Sequence, residues 1–333
     1  MSNQPLLTVA IPTYNRPKQL GQTLLRLLPQ INDNWILHIH DNCSDQPVAE
    51  CQAEILAQFG SGRVRVFRNV VNIGLCGNIL RGFEHAVTPW LSILADDDEI
   101  APDYLAAVLQ AIGNHPDMVF ATFSSTIFAR PADFVTDGLA DFCARMDNWS
   151  NLLFLPCGLY NRLAMVPHLR HGYIYAYSLG PQIAILLQCL KENGGKCFFS
   201  SRKVVTFVSP EDVVSWSRLN LNVMALLLEL IPDRAGRLAF YDQMRPYFMN
   251  RRELAFQLIH RAKKTGEDAT CIFDVRAFCQ TCFRPNLRGL FVHFFLRYLV
   301  AHPRLGLKFI RFSGKFSSQA EDKDTAAELF KGI

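Results

Sequence analysis

The first half of the chain alternates between two hydrophobic periods. Residues 6–11, 35–39, 63–67 and 91–95 are short runs rich in β-branched or aromatic residues, each followed by turn-formers or carboxylates, and they predict strands. Between them, residues 18–28 place Leu20, Leu24, Leu27 and Leu28 on one helical face, with Pro17 suited to the first turn. Residues 78–86 and 102–112 repeat the helical spacing. Strands alternating with helices imply βαβ units, hence an α/β fold with a mostly parallel sheet covered on both faces. In such a sheet ligands bind outside the carboxyl ends of the strands. Four polar clusters fall there: Thr13-Tyr14-Asn15, Asp41 to Asp45, Asn69 to Gly74, and Asp96-Asp97-Asp98.

Beyond residue 118 the alternation becomes irregular. MVFATFSSTIF and CFFSSRKVVTFV predict strands and residues 181–191 a helix, a region expected to complete the sheet and form the acceptor side. From about Trp216 the pattern is helical, clearest over 219–230, 251–264 and 287–300. The expected division is therefore residues 1–215 as a catalytic domain and 216–333 as a helical C-terminal region.

With 333 residues, half of them apolar and 19% charged, the chain has ample material for a core and is neither a disordered nor a fibrous protein. The opening MSNQPLLTVAIPTYNRP carries no basic segment before an apolar stretch, and no run reaches the length of a spanning helix, so a cytoplasmic or membrane-peripheral protein is expected. The ten cysteines then read as reduced, mostly core residues. CQTC at Cys279 and Cys282, with Cys271 or His260 nearby, supplies half a zinc site but lacks the second pair. A dinucleotide fold would need G-x-G-x-x-G where this chain has PTYNRP, and the P-loop signature is absent. A net charge of +4 without a nucleic-acid-binding motif argues against nucleic acid as a partner.

Three consecutive carboxylates repel one another unless a cation or solvent relieves the charge. At a strand end Asp96 and Asp98 point to one side, while Asp97 points elsewhere or caps the next helix. A hard divalent ion takes one or two such carboxylates and completes its shell with phosphate oxygens and water. The plain alternative is a solvated acidic turn before the helix at Pro102.

VAIPTYNRP, DNCSD, NIGLCGNILRGFEHA and LSILADDDEI, in this order and spacing, resemble the inverting family 2 glycosyltransferases of GT-A fold, above all bacterial enzymes of O-antigen, capsule and other surface polysaccharides. The resemblance covers residues 9–100 and extends to about 210. It implies a GT-A domain that moves a sugar from a nucleotide-sugar donor to a glycan or polyprenyl-linked acceptor with inversion. It also implies Mg²⁺ or Mn²⁺ at Asp96 and Asp98, with Asp97 facing the donor. Thr13 and Asn15 would line the base and ribose pocket, Asp41 would accept from the base or merely hold its turn, and Gly74 and Asn78 would shape the start of the helix beside the donor. Arg81 reads more simply as a solvated side chain than as a phosphate ligand.

A general base is harder to place. Relatives carry an acidic pair about 80 residues beyond the metal motif, where this chain reads GYIYAYSLGPQIAILL with no carboxylate. Glu211 and Asp212 are the base candidates, with Asp141 or Asp147 as alternatives and a surface turn as the plain explanation of the pair. Tyr173, Tyr175 and Tyr177 alternate as on a strand, for packing or for stacking on a sugar. The basic, aromatic stretch 284–315 suits either an anionic membrane surface or a helix packed by its aromatic face. A non-catalytic sugar-nucleotide or glycan-binding subunit is the rival function.

Overall fold

The computed structural model describes residues 4–207 and 221–248, together with Arg276, Ala277, Phe295, Tyr298, Leu299, His302 and Leu305. The chain divides into two compact units, residues 1–176 with 180–210 and residues 177–179 with 211–333.

The first unit is built on a nine-stranded sheet. Its parallel half comprises β1 (Leu7–Thr13), β2 (Trp35–Asp41), β3 (Val64–Arg68) and β4 (Trp90–Ile93), in the order β3-β2-β1-β4. The longer helices that belong to these strands are α1 (Pro17–Leu27), α2 (Gly74–His85) and α3 (Tyr104–Asn114), with two short ones, Val48–Cys51 and Ala53–Ala57, between β2 and β3. The period-two pattern decides which helix covers which face. Leu7, Val9 and Ile11 with Leu37 and Ile39 pack in one core cluster with Leu20, Leu24 and Leu27 of α1 and Tyr104, Leu105 and Val108 of α3. The alternate positions face α2, where Ala10 and Ile93 lie beside Gly82 and His40 stacks on His85.

The second half departs from a parallel sheet. β5 (Glu99–Ile100), β6 (Met118–Ser125), β7 (Phe134–Asp137), β8 (Gly158–Asn161) and β9 (Lys196–Thr206) extend the order as β4-β8-β6-β9-β5, with β7 also on β9. β6 and β9 are parallel, whereas β8 runs antiparallel to both β4 and β6, and β5 and β7 run antiparallel to β9. The sheet is therefore mixed. The segment LFLPCGLYNR contains β8, a strand of four residues defined by its pairing with the centre of the sheet. Tyr173 and Tyr175 do not alternate on a strand: residues Leu169–Ile174 are a short helix and Tyr175 follows it. The longer helices of this half are α4 (Gly138–Arg145) and α5 (Pro181–Asn193), beside the short helices Trp149–Leu153 and Arg162–Met165.

In the second unit Asn222–Leu230 is a 3₁₀ helix with almost all its apolar side chains buried, and α6 (Arg234–Met244) follows, its first turn capped by Asp233, which accepts from the Gly236 amide at 2.6 Å. The helices expected at 251–264 and 287–300, the CQTC cysteines and most of the basic stretch 284–315 lie outside the described residues. Among the described residues, no helix is long and apolar enough to cross a membrane.

Candidate functional site

β4 ends at Ile93, so Asp96, Asp97 and Asp98 sit in the loop between β4 and β5 rather than on the strand itself. The loop is not a solvated turn: Asp96 is 5% and Asp98 4% exposed. Nor does it cap α3, whose first residue is Tyr104. Asp96 is tied down on every side. Its Oδ2 accepts from the Thr13 hydroxyl at 2.6 Å and its Oδ1 from Arg16 Nη1 at 3.1 Å, while its backbone carbonyl accepts from Thr23 Oγ1 of α1 at 3.0 Å. The same Arg16 nitrogen donates to Asp97 Oδ2 at 2.5 Å. The relief of carboxylate repulsion that the sequence demanded comes in part from a cation of the chain itself, at the end of the PTYNR loop.

Asp98 differs. Its Oδ2 is buried with no hydrogen-bond partner. Burial, reinforced by Asp97 and Asp96, pushes its carboxyl well above the usual carboxylate range. Burial also raises Asp96, to about 6, with Thr13 and Arg16 opposing the rise. A buried acceptor left unpaired costs free energy, and a cation removes that cost. Among the described residues no group of three or more ligating side chains is gathered for a metal. Mg²⁺ or Mn²⁺ needs only one or two protein carboxylates when phosphate and water complete the shell, so the residues present fit such an ion, with Asp98 offering a free oxygen.

The loops after β1 and β2 interlock. Asn15 adopts a left-handed backbone, φ 55°, its amide donates to Ser44 Oγ at 3.0 Å, and its side chain exchanges bonds with Asp45, Nδ2 to Oδ2 at 3.1 Å and Oδ1 from the Asp45 amide at 2.7 Å. Asp41, fully buried at the end of β2, accepts from the amides of Ser44 at 2.8 Å and Val48 at 3.2 Å and from Arg68 Nη1 at 2.5 Å. Burial alone would raise its pKa; these hydrogen bonds outweigh burial and hold it below the usual value. Asp41 is thus the organiser of its own loop.

Four asparagines join β2, the loop after β3 and α2. Asn78 on α2 donates to the His40 carbonyl at 2.7 Å and accepts from Asn69 at 3.0 Å; Asn42 accepts from Asn69 Nδ2 at 2.9 Å and the Ile73 amide at 3.0 Å, and donates to Asn72 at 2.8 Å. Gly74, φ 76°, opens α2 in a conformation that penalises any side chain, with its amide donating to Asn72 Oδ1 at 2.8 Å. Arg81 is paired with Glu84 at 2.5 Å. Hydrogen bonds link Thr13, Asn15, Asp41, Asp96 and Asp97 at the carboxyl ends of the strands and tie Asn78 of α2 to β2, while Asp98 shares their loop through its place in the chain alone. Asn42, Asn69 and Asn72 join them from within the same polar clusters, whereas Arg16 and Arg68, each one residue outside a cluster, were missed.

Among the described residues, none of the base candidates is brought to the site in the same way. Glu211 and Asp212 lie outside the described residues. Asp141 is on α4, accepting from the Asp137 amide and pairing with Arg145. Asp147 pairs at 2.8 Å with the buried Arg130.

Residues 8–147 match the family model described as glycosyl transferase family 2. A glycosyltransferase of Haemophilus influenzae, itself uncharacterized, is 31% identical over 115 residues, 34% of this chain and 37% of that protein. The colanic acid biosynthesis glycosyl transferase candidate WcaA of Escherichia coli is 28% identical over 109 residues, 33% of this chain and 38% of that one. The alignments thus span little more than a third of these relatives. The crystal structure of S. aureus TarS 1–349 in complex with UDP-GlcNAc superposes with a TM-score of 0.58 over 94% of this chain and 93% of that chain, at 13% identity. The mannosyltransferase PcManGT from Pyrobaculum calidifontis, in complex with GDP-Man and Mn²⁺, gives 0.55 over 92% and 88%, also at 13% identity. At such identities the likeness is one of fold. Residues 8–147 thus resemble glycosyl transferase family 2 in sequence and belong to a GT-A fold, with the Asp96 to Asp98 loop among the loops at its strand ends.

Proposed function

We propose that this protein transfers a sugar, with inversion, from a nucleoside diphosphate sugar to a glycan or lipid-linked acceptor in surface polysaccharide synthesis, using Mg²⁺ or Mn²⁺. The observation that carries the reading is the buried, unpartnered Asp98 Oδ2 in the loop whose neighbour Asp96 is anchored by Thr13 and Arg16. The TarS and PcManGT complexes with UDP-GlcNAc and with GDP-Man and Mn²⁺, and the colanic acid assignment of WcaA, support the donor class, the ion and the pathway.

Asp98 and Asp96 would hold the ion, which supplies neutralisation of the charge developing on the departing diphosphate. The chain's own residues do the rest. Thr13 and Thr23 fix Asp96 so that its carboxylate does not reorganise when the diphosphate arrives. Asn15, locked to Ser44 and Asp45, and Asp41, locked to its own loop, give the base and ribose a preformed wall. Asn78 pins α2 against β2 beside the donor. Glu211 or Asp212 would take the acceptor hydroxyl proton, and the basic stretch 284–315 would meet the anionic membrane surface that presents a lipid-linked acceptor.

Incubation with UDP-, GDP-, dTDP- and CDP-sugars plus Mn²⁺ tests the reading. Expected is slow, metal-dependent release of one nucleoside diphosphate, accelerated by an acceptor. Metal-dependent donor binding without turnover on any acceptor would instead identify a binding subunit, the reading kept open by the carboxylate-free stretch at 172–187.

A further inference from the structure

Arg16 lies in the loop between β1 and α1, and only its Nη1 is engaged among the described residues, on Asp96 Oδ1 at 3.1 Å and on Asp97 Oδ2 at 2.5 Å. Its side chain is 27% exposed while that of Asp96 is 6% exposed, so the guanidinium covers the carboxylates from the solvent side. Asp98, the third carboxylate, is left without a partner on Oδ2.

These contacts set up a competition. A hard divalent ion binds a carboxylate oxygen at about 2.1 Å. Such an ion on Asp96 Oδ1 and a guanidinium nitrogen on that same oxygen would be cations only a few ångströms apart, so the ion can use Asp96 fully only when Arg16 releases it. A released guanidinium needs a new anion, and a diphosphate offers pairs of phosphate oxygens that the planar guanidinium fork can bind bidentately. Resting on the nucleotide-sugar reading above, we propose that Arg16 is a displaceable counter-cation. It holds Asp96 and Asp97 in the nucleotide-free protein and passes to the donor diphosphate as the metal enters, so that metal and donor bind cooperatively. Linkage makes the coupling reciprocal, and a coupling of about tenfold or more is ordinary for two sites sharing one bistable group.

The test compares the full chain with Arg16→Gln and Arg16→Lys. Mn²⁺ affinity of the nucleotide-free protein is read from the signal of free Mn²⁺ by electron paramagnetic resonance. Affinity for UDP, GDP, CDP and dTDP, with and without Mn²⁺, is read by calorimetry. The wild type should bind Mn²⁺ weakly alone and its preferred diphosphate roughly tenfold tighter with the metal than without it. Arg16→Gln should bind Mn²⁺ alone about tenfold tighter than the wild type and lose most of the coupling. Arg16→Lys, which keeps a cation in place and protects folding, should bind Mn²⁺ alone nearly as the wild type does but show reduced coupling, because an ammonium lacks the bidentate grip. Equal Mn²⁺ affinity in wild type and Arg16→Gln with coupling unchanged would overturn the role of Arg16 while leaving the metal reading standing. Absence of Mn²⁺ binding by every variant, with or without nucleotide, would overturn both.

Discussion

Strand β2 contributes to two buried polar clusters that solve the problem of burial in opposite ways. At its carboxyl end, Asp41 is buried as a charge and is met by two amides and an arginine. In its middle, His38 and His40 are buried as neutral rings: His38 has no partner on either nitrogen, His40 none on Nε2, and the rings contact Phe67 and, for His40, His85 of α2. The first cluster is held by directional bonds and fixes loops; the second is packing, in which histidine serves as an aromatic. The site loops contain a third state, the unpartnered Asp98, which belongs to neither. The difference teaches that burial of a titratable group points to function where neither directional partners nor ring packing accounts for it.

Breaking the first cluster should have the largest effect. Asp41→Ala leaves two buried amides without their acceptor and releases the exposed Arg68 to solvent, and we expect a loss of about 3 kcal/mol in urea unfolding, mostly from the unsatisfied amides. A loss below about 1 kcal/mol would mean that the loop does not depend on Asp41.

The histidines respond to pH. Burial, with the nearby Arg65 and His85, lowers His38 to about 4, and burial with His85, His38 and Arg81 lowers His40 to about 3. Burial likewise lowers His85, against the opposing pull of Glu84. Because these folded values lie below the unfolded value near 6.5, the unfolded chain binds more protons in the interval. Stability is therefore full above about pH 6.5 and falls progressively as pH is lowered through about 5 toward about 3. The two strand histidines should account for about 3 kcal/mol between about pH 7 and pH 5, and His38→Phe should remove part of that slope. An unchanged slope in His38→Phe would show that His38 is not the responsible group.

A smaller effect separates packing from positioning. Asn78→Ala removes the donor to the buried His40 carbonyl and one of the two bonds made by Asn69 Nδ2, and should cost about 2 kcal/mol, while weakening nucleotide binding severalfold by loosening α2 against β2. Loss of stability with unaltered nucleotide affinity would reduce Asn78 to a structural staple.

The strand-end loops were legible from sequence because they are local: each follows its strand within a few residues, and the hydrophobic alternation locates the strands. What the pattern could not show was who pairs with whom. Arg16 reaches Asp96 across 80 positions, and no periodicity encodes that contact. The second half of the sheet was less legible, since β8 and β5 are four and two residues long and are defined by partners distant in sequence. Tyr173 and Tyr175 misled for a related reason: three tyrosines spaced by two match a strand period by chance in a segment that packs as helix.

The measurement that bears most directly on the site is the affinity of the wild type and Asp98→Asn for nucleoside diphosphate, titrated with and without Mn²⁺. The substitution keeps the shape of the side chain while removing the carboxylate charge, so the variant should remain folded and bind nucleotide weakly and equally in both conditions. The wild type should gain at least about tenfold from the metal. An Asp98→Asn protein that retained the full metal-dependent gain would contradict the assignment of Asp98, and with it the account of how this site holds its donor.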